Sequence, residues 1–229
     1  MGVGPRIRNI IGYSLGAILS AFLLVASFTK WIPSSPTEVF GFVTGAWCVW
    51  LTVKEHIWNF PIGNANSAFF LVLFVQARLF ADSTLQVIYI VLGFWGWYWW
   101  LKGGENQTVL KVMRTPGWEY AMLLVVGIAG TVGMMRVLIS VNDSAPLLDA
   151  LTTVLSLIAQ YMLTRKYLEN WFVWITADVI YVGLYSYRHL YLTGILYAIF
   201  IGLCIAGYIA WSKSLGAPRK EADMEIVHA

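Results

Sequence analysis

The stretch Leu163–Arg188, LTRKYLENWFVWITADVIYVGLYSYR, decides how the rest of this 229-residue chain is read. Arg165 and Lys166 open it, an apolar and aromatic run follows, and one carboxylate, Asp178, lies inside that run. Trp171, Trp174, Asp178, Tyr181 and Tyr185 recur at three- and four-residue steps, which puts them on one face of a helix. An ionisable group at membrane depth is costly and marks a functional site by default. Two indoles and a carboxylate on one face suit a flat, aromatic, positively charged guest.

The composition around this stretch supplies the membrane. The chain is 59% hydrophobic and 12% charged, with a mean hydropathy of +0.69, whereas a soluble domain carries about 25% charged residues. An all-α integral membrane protein with little outside the bilayer is expected. A net charge of +3 without a large basic cluster gives no footprint for nucleic acid. Cys48 and Cys204 lie in apolar runs without metal or redox spacing and read as small core residues. No metal and no cofactor is expected.

Crossing the hydrocarbon core takes about 20 apolar residues. Eight spans meet that need, at about 9–28, 37–54, 57–77, 80–102, 118–141, 147–165, 168–187 and 190–212. The first follows Arg6 and Arg8, and its run exceeds the about 7–15 apolar residues of a signal peptide. It therefore reads as an uncleaved helix. Trp31-Ile-Pro-Ser-Ser-Pro36 is an interfacial break, and Lys54-Glu55-His56 and Arg188-His189 are tight hairpin turns. The longest internal loop, Gly103 to Gly117 with Lys111 and Arg114, is expected to be solvated. The tail beyond Lys213 is expected to be disordered. With the N-terminus inside, cytoplasmic segments hold eleven of the basic residues and outside loops hold Lys30, Arg78, Arg136 and Arg188. That asymmetry predicts a membrane protein with both termini in the cytoplasm.

The chain also repeats itself. A numbering offset of 112 pairs Leu51 with Leu163, Thr52 with Thr164, Lys54 with Lys166, Phe60 with Phe172, Ala65 with Ala177 and Asn66 with Asp178. Dropping one residue, an offset of 111 pairs Leu85 with Leu196, Gly96 with Gly207, Trp100 with Trp211 and Lys102 with Lys213. Three helices reverse sidedness, so one extra helix makes two such units parallel. The expected organisation is an N-terminal helix and turn (1–36), a three-helix repeat (37–103), a loop and linker helix (104–146), a second repeat (147–214) and a tail (215–229). This 3+1+3 parallel-repeat bundle has a pseudo-twofold axis along the membrane normal. Transporters built this way hold substrate near the midplane between the repeats.

The repeat gives Asp178 a partner region. Asn59 and Asn66 correspond to Trp171 and Asp178 at the 112 offset, so Asn66 is expected to face Asp178 with Asn64 nearby. Amides bond hydroxyls or a ring amide, and a carboxylate offsets positive charge. The competing reading is that the asparagines satisfy backbone freed by Pro61 and Gly63, which interrupt the span. Asp178 has no basic residue within six positions on either side, which weighs against a local ion pair. Trp171 and Trp174 either stack on a guest or anchor the interface; a cation over an indole gains about 0.5–2 kcal/mol. Most of GFWGWYWW, 93–100, must form an aromatic belt. Gln86 and Trp97 share a face with Gly93 and are the candidates there for the substrate path. Gln160, with Ser156 and Thr153, reads as helix-to-helix glue.

Taken together, TRKYLENWFVWITADVIYVGLY, the following Leu190-Tyr-Leu-Thr193 and the WGWYWW run at 95–100 resemble the PnuC family of bacterial vitamin transporters, best known for nicotinamide riboside. The likeness extends more weakly over about 37–214. It implies a 3+1+3 fold like that of the sugar-transporting SWEET proteins, and often a homotrimer. It also implies facilitated diffusion, with a cytoplasmic riboside kinase trapping the vitamin for NAD biosynthesis. By position, Asn66, Gln86, Trp97, Trp171, Trp174 and Asp178 would lie in or near the substrate path. The N-terminal helix lies outside the repeat.

Other readings compete. Thiamine is also cationic and aromatic, and Asp178 does not separate it from the riboside. Ribose hydroxyls make more use of Asn64, Asn66 and Gln86. Riboflavin and plain nucleosides are neutral and fit Asp178 less well. A membrane enzyme would need a catalytic cluster, and His56, His189 and His228 show no metal spacing and no hydrolase or zinc motif accompanies them. A scaffold or sensor would leave a buried carboxylate opposite an amide without purpose. The chain is therefore expected to be a transporter and not an enzyme.

Overall fold

The computed structural model describes residues 5–31, 36–76, 78, 80–142, 145–187 and 191–215. The tail from 216, the Arg188-His189 turn and most of the break at 31–36 lie outside them. Among the described residues the secondary structure is helical, apart from one isolated bridge between Met113 and Tyr167. The helices are α1 (Pro5–Phe28), α2 (Pro36–Val53), α3 (Asn59–Gln76), α4 (Phe80–Lys102), α5 (Gly117–Ser140), α6 (Pro146–Thr164), α7 (Asn170–Tyr187) and α8 (Tyr191–Ser214). Their ends differ from the expected spans by four residues at most. By length and composition α5, α6 and the Tyr197–Ser214 part of α8 suffice to cross a membrane.

Prolines start several of these helices rather than break them. Pro36 opens α2, Pro146 opens α6 and Pro116 caps α5, where a missing N–H costs nothing. Pro61 is the case where expectation and structure part. It sits in the first turn of α3, and the helix continues through Gly63 to Gln76. The first turn has no intrahelical acceptors for its N–H groups, so Pro61 frees no backbone. The neighbouring asparagines therefore have no interrupted helix to repair.

The chain forms two units, 1–47 and 48–229. In the first, Trp47 stacks on Tyr13 at 6.1 Å and its indole N–H donates to Ser20 Oγ at 3.0 Å. Gly16 gives the ring its space. In the second, α3 packs on α4 and α7 on α8, while α6 touches α4, α5 and α7.

The core of the second unit is aromatic and reciprocal. Trp100 Nε1 donates to the Leu163 carbonyl and Trp211 Nε1 to the Thr52 carbonyl, each at 3.0 Å. An offset of 111 carries Trp100 onto Trp211, and the same offset carries Thr52 onto Leu163. The two indoles meet edge to face at 5.8 Å. Phe60 lies against Trp100 at 5.0 Å, and Trp171, which the offset places opposite Phe60, lies against Trp211 at 5.2 Å. Gly96 makes room for Phe60 and Gly207 for Trp171, since a Cβ at either would overlap the ring. The helix ends agree: His56 N bonds Leu51 O, and Tyr167 N bonds Met162 O. These contacts follow one spacing of 111 throughout, without the one-residue shift drawn from the identities. Asn59 thus corresponds to Asn170, and Asp178 to Ser67.

The 103–117 connection is not the solvated loop expected. Leu110 and Val112 are buried in the aromatic core. Its backbone is strapped to the α6–α7 turn by Met113 N to Lys166 O at 3.2 Å and Leu168 N to Met113 O at 2.9 Å. Glu169 accepts the Thr115 N–H and hydroxyl, each at 2.9 Å. Burial of these apolar side chains outweighs the charges of Lys111 and Arg114 that made the segment look free. Lys111 and Arg114 remain exposed.

Candidate functional site

α7 carries the acidic side of the candidate site. Asp178 lies eight residues into this helix, about 12 Å along its axis. It is 6% exposed, and its carboxylate takes a long contact from the Cys204 thiol of α8, 3.8 Å to Oδ2. No ion pair involves Asp178 among the described residues. A buried carboxylate held by one weak donor is under-partnered, and a cation would complete it. Towards the C-terminal end of α7, Tyr181 and Tyr185 stack with Tyr197 of α8, with Tyr181 and Tyr197 4.6 Å apart.

The two tryptophans of α7 differ. Trp174 is half-buried at the margin of the aromatic core. Trp171 is 1% exposed, covered by Trp211 and fitted against Gly207. It is a buried wall rather than an interface anchor, and its indole N–H has no protein partner.

α3 and α4 bring the amides. The Asn64 carboxamide lies directly on Gly93, whose missing side chain lets it reach the α4 face that bears Gln86 and Trp97. Its Nδ2 is buried without a protein partner. Trp97 packs beside the same aromatic core as Trp174 and stacks on Phe94 at 6.4 Å. Gln86 and Asn66 are half-buried. Within the WGWYWW run Trp95 and Tyr98 face outward, as an aromatic belt requires, while Trp100 is a centre of the core.

Two residues were not among the candidates for the site. Asn59 and Asn170 open α3 and α7 at corresponding positions and are 2% and 0% exposed. Asn170 Nδ2 donates to the Tyr167 carbonyl at 2.6 Å, which leaves its Oδ1 unpartnered, and Asn59 Nδ2 is unpartnered too. With Asn64 Nδ2 and Trp171 Nε1, these are the buried side-chain polar atoms without a protein partner among the described residues. An unpaired buried polar group costs about 1–3 kcal/mol, so each of these three donors and one acceptor is open to a polar partner. Only a register of 111 makes the two asparagines a pair. No cluster able to hold a metal occurs among the described residues.

Comparisons with known proteins give this chain a family and relatives. The family described as nicotinamide mononucleotide transporter matches residues 35–213. The nicotinamide riboside transporter PnuC of Escherichia coli is 27% identical over 203 residues, 77% of this chain and 85% of that protein. The PnuC transporter of Haemophilus influenzae is 26% identical, over 84% of this chain and 87% of its own. The riboflavin/roseoflavin transporter RibM of Streptomyces davaonensis is 24% identical, over 83% and 89%. A crystal structure of the vitamin B3 transporter PnuC superposes with a TM-score of 0.63 at 22% identity, covering 87% of this chain and 91% of that one. At that identity the likeness speaks for the fold.

Proposed function

This chain belongs to the nicotinamide mononucleotide transporter family, and we propose that it takes up nicotinamide riboside across the inner membrane by facilitated diffusion. It is a multi-pass membrane protein of a transporter family. The observation that carries the substrate choice is Asp178, a buried carboxylate with a thiol and no described cation beside it. The pyridinium of the riboside supplies that charge. Trp174 and Trp97 offer faces for its ring, and Asn64, Asn66 and Gln86 offer hydrogen bonds for carboxamide and ribose. Trp171 backs the site as a rigid wall, and the unpaired atoms of Asn59 and Asn170 add a donor and an acceptor at its inner end.

In this reading all eight helices cross the membrane, both termini are cytoplasmic, and α2–α4 and α6–α8 are parallel three-helix repeats joined by α5. The reciprocal contacts at the 111 offset support that arrangement. A cytoplasmic kinase traps the riboside by phosphorylation, no ion is coupled, and the protein assembles as a homotrimer in lipid. The test is uptake into proteoliposomes of labelled nicotinamide riboside, thiamine, riboflavin and adenosine in turn. Saturable entry of the riboside at the lowest concentration is expected; thiamine entry without riboside entry overturns the choice. The likeness to RibM favours riboflavin as the second reading. A neutral flavin leaves Asp178 without a role, so riboflavin uptake that survives Asp178→Asn would identify it.

A further inference from the structure

The turns that end α2 and α6 both place a charged residue in the left-handed region, Glu55 at φ 54° and Lys166 at φ 58°. The 111 offset makes them corresponding positions, and they carry opposite charges. They also meet: Lys166 Nζ lies 2.7 Å from Glu55 Oε2. The Lys166 side chain is 4% exposed, and that of Glu55 is 25% exposed. The remaining capacity of the ammonium is filled by the Leu110 carbonyl at 3.0 Å and by the Trp100 face at 4.6 Å. Lys30 makes the same kind of turn at the end of α1, so the turn itself is ordinary. What is unusual is a pair of corresponding positions that bond to each other.

We propose that Glu55 and Lys166 are the latch of the cytoplasmic gate. A buried ion pair adds little net stability over an apolar pair, yet losing one partner is costly. That profile suits a contact made in one state and exchanged for water in another. Parallel-repeat transporters open by rocking one repeat against the other around a fixed site. The ends of α2 and α6 belong to different repeats in the arrangement proposed above, so rocking parts them. The indole bonds from Trp100 to Leu163 and from Trp211 to Thr52 span the same gap and part with it. The latch lies at the inner ends of α2 and α6, below Asp178, and closes the path on the side that the basic residues assign to the cytoplasm.

The meaning for transport rests on the function proposed above, but the test needs no substrate, so the two stand or fall separately. Cys204 touches Asp178 and reports on access to the site. In a Cys48→Ala background, membrane-impermeant maleimide is applied to the cytoplasmic face of inside-out vesicles. Cys204 is expected to label slowly with the latch intact and about tenfold faster in Glu55→Gln and in Lys166→Gln. Lys166→Arg, which keeps a cation for Glu55 and the Trp100 face and a donor for the Leu110 carbonyl, is expected to stay near the slow rate. Labelling from the outer face is expected to stay constant in all of them. Wild-type rates in both single variants overturn the proposal, as does Lys166→Arg labelling as fast as Lys166→Gln.

Discussion

The stretches 48–102 and 159–213 share a set of aromatic and turn contacts at a spacing of 111 and differ in other side chains, and the difference separates scaffold from site. At the 111 offset Gly96 with Trp100 and Gly207 with Trp211 are retained, as are the carbonyls their indoles reach. Asn59 and Asn170 are retained as well. The positions that diverge are Glu55 and Lys166, Phe60 and Trp171, Ser67 and Asp178, Gly93 and Cys204. Packing needs the first group in both stretches. The second group gives one stretch a carboxylate, its thiol neighbour and a larger ring, and gives the other an amide, Asn64, laid into the groove at Gly93. A cationic ring with a polar substituent has two unlike sides, and an asymmetric site on a symmetric frame fits it.

The largest expected effect breaks the frame on one side only. Gly207→Ala drives a methyl group into three atoms of the buried Trp171 ring, while Gly96→Ala meets two atoms of Phe60. Overpacking of this kind costs about 1–3 kcal/mol, with Gly207→Ala at the upper end; thermal unfolding in detergent ranks the two variants. Next comes the diverged carboxylate. Asp178→Asn is expected to weaken riboside binding about 10- to 100-fold, the scale of a hydrogen bond to a charged group, without lowering the unfolding midpoint. Ser67→Ala is expected to leave affinity within about twofold; tryptophan quenching measures both. A drop for Ser67→Ala as large as that for Asp178→Asn would erase the distinction between the stretches.

Smaller effects sharpen the retained half of the comparison. Trp100→Phe and Trp211→Phe each remove one of the two hydrogen bonds to a carbonyl that keeps its turn N–H, from Lys166 and from Glu55 respectively, and are expected to cost about 0.5–1.5 kcal/mol, equally within error. A clear inequality in their unfolding midpoints would show that the reciprocal bonds are not equivalent. Smallest is the clamp at the start of α5. Fully buried Glu119 accepts from Tyr161 at 2.5 Å and from Tyr167 at 2.6 Å. Burial first, and then the Glu119 carboxylate, push the Tyr167 phenol above its ordinary value. The fold therefore favours the protonated phenol, and this contribution is complete below about pH 10 and lost as pH rises through the higher folded value. Tyr167→Phe is expected to unfold less steeply above about pH 10 than the parent chain, as circular dichroism across alkaline pH would record.

Much of the helical frame was legible because apolar runs of membrane length carry a strong signal, and Asp178 stood out as one charge inside such a run. The register was not legible. Leu51, Thr52 and Lys54 match Leu163, Thr164 and Lys166 by identity, yet hydrogen bonding pairs Thr52 with Leu163 and Glu55 with Lys166. Identity at a helix end tracks residue type, whereas packing tracks which carbonyl an indole can reach. The slip paired Asn59 with Trp171 and so hid its kinship with Asn170. Trp171 could be assigned to a buried wall only once α8 placed Gly207 behind it. The strap was missed because its apolar run, Val109 to Met113 with Lys111 inside it, is too short to give a periodicity. Lys166, taken as one more basic residue at a membrane surface, is 3% exposed because its partner Glu55 comes from the turn after α2, far back in the chain.

The central claim is that Asp178 recognises a positive charge on the guest, and one binding experiment addresses it directly. Nicotinamide riboside and its dihydro form differ in ring charge while keeping the ribose and the carboxamide. The wild-type protein is expected to bind the charged form at least about tenfold more tightly, and Asp178→Asn to lose that preference. A preference of the same size in Asp178→Asn would contradict the account.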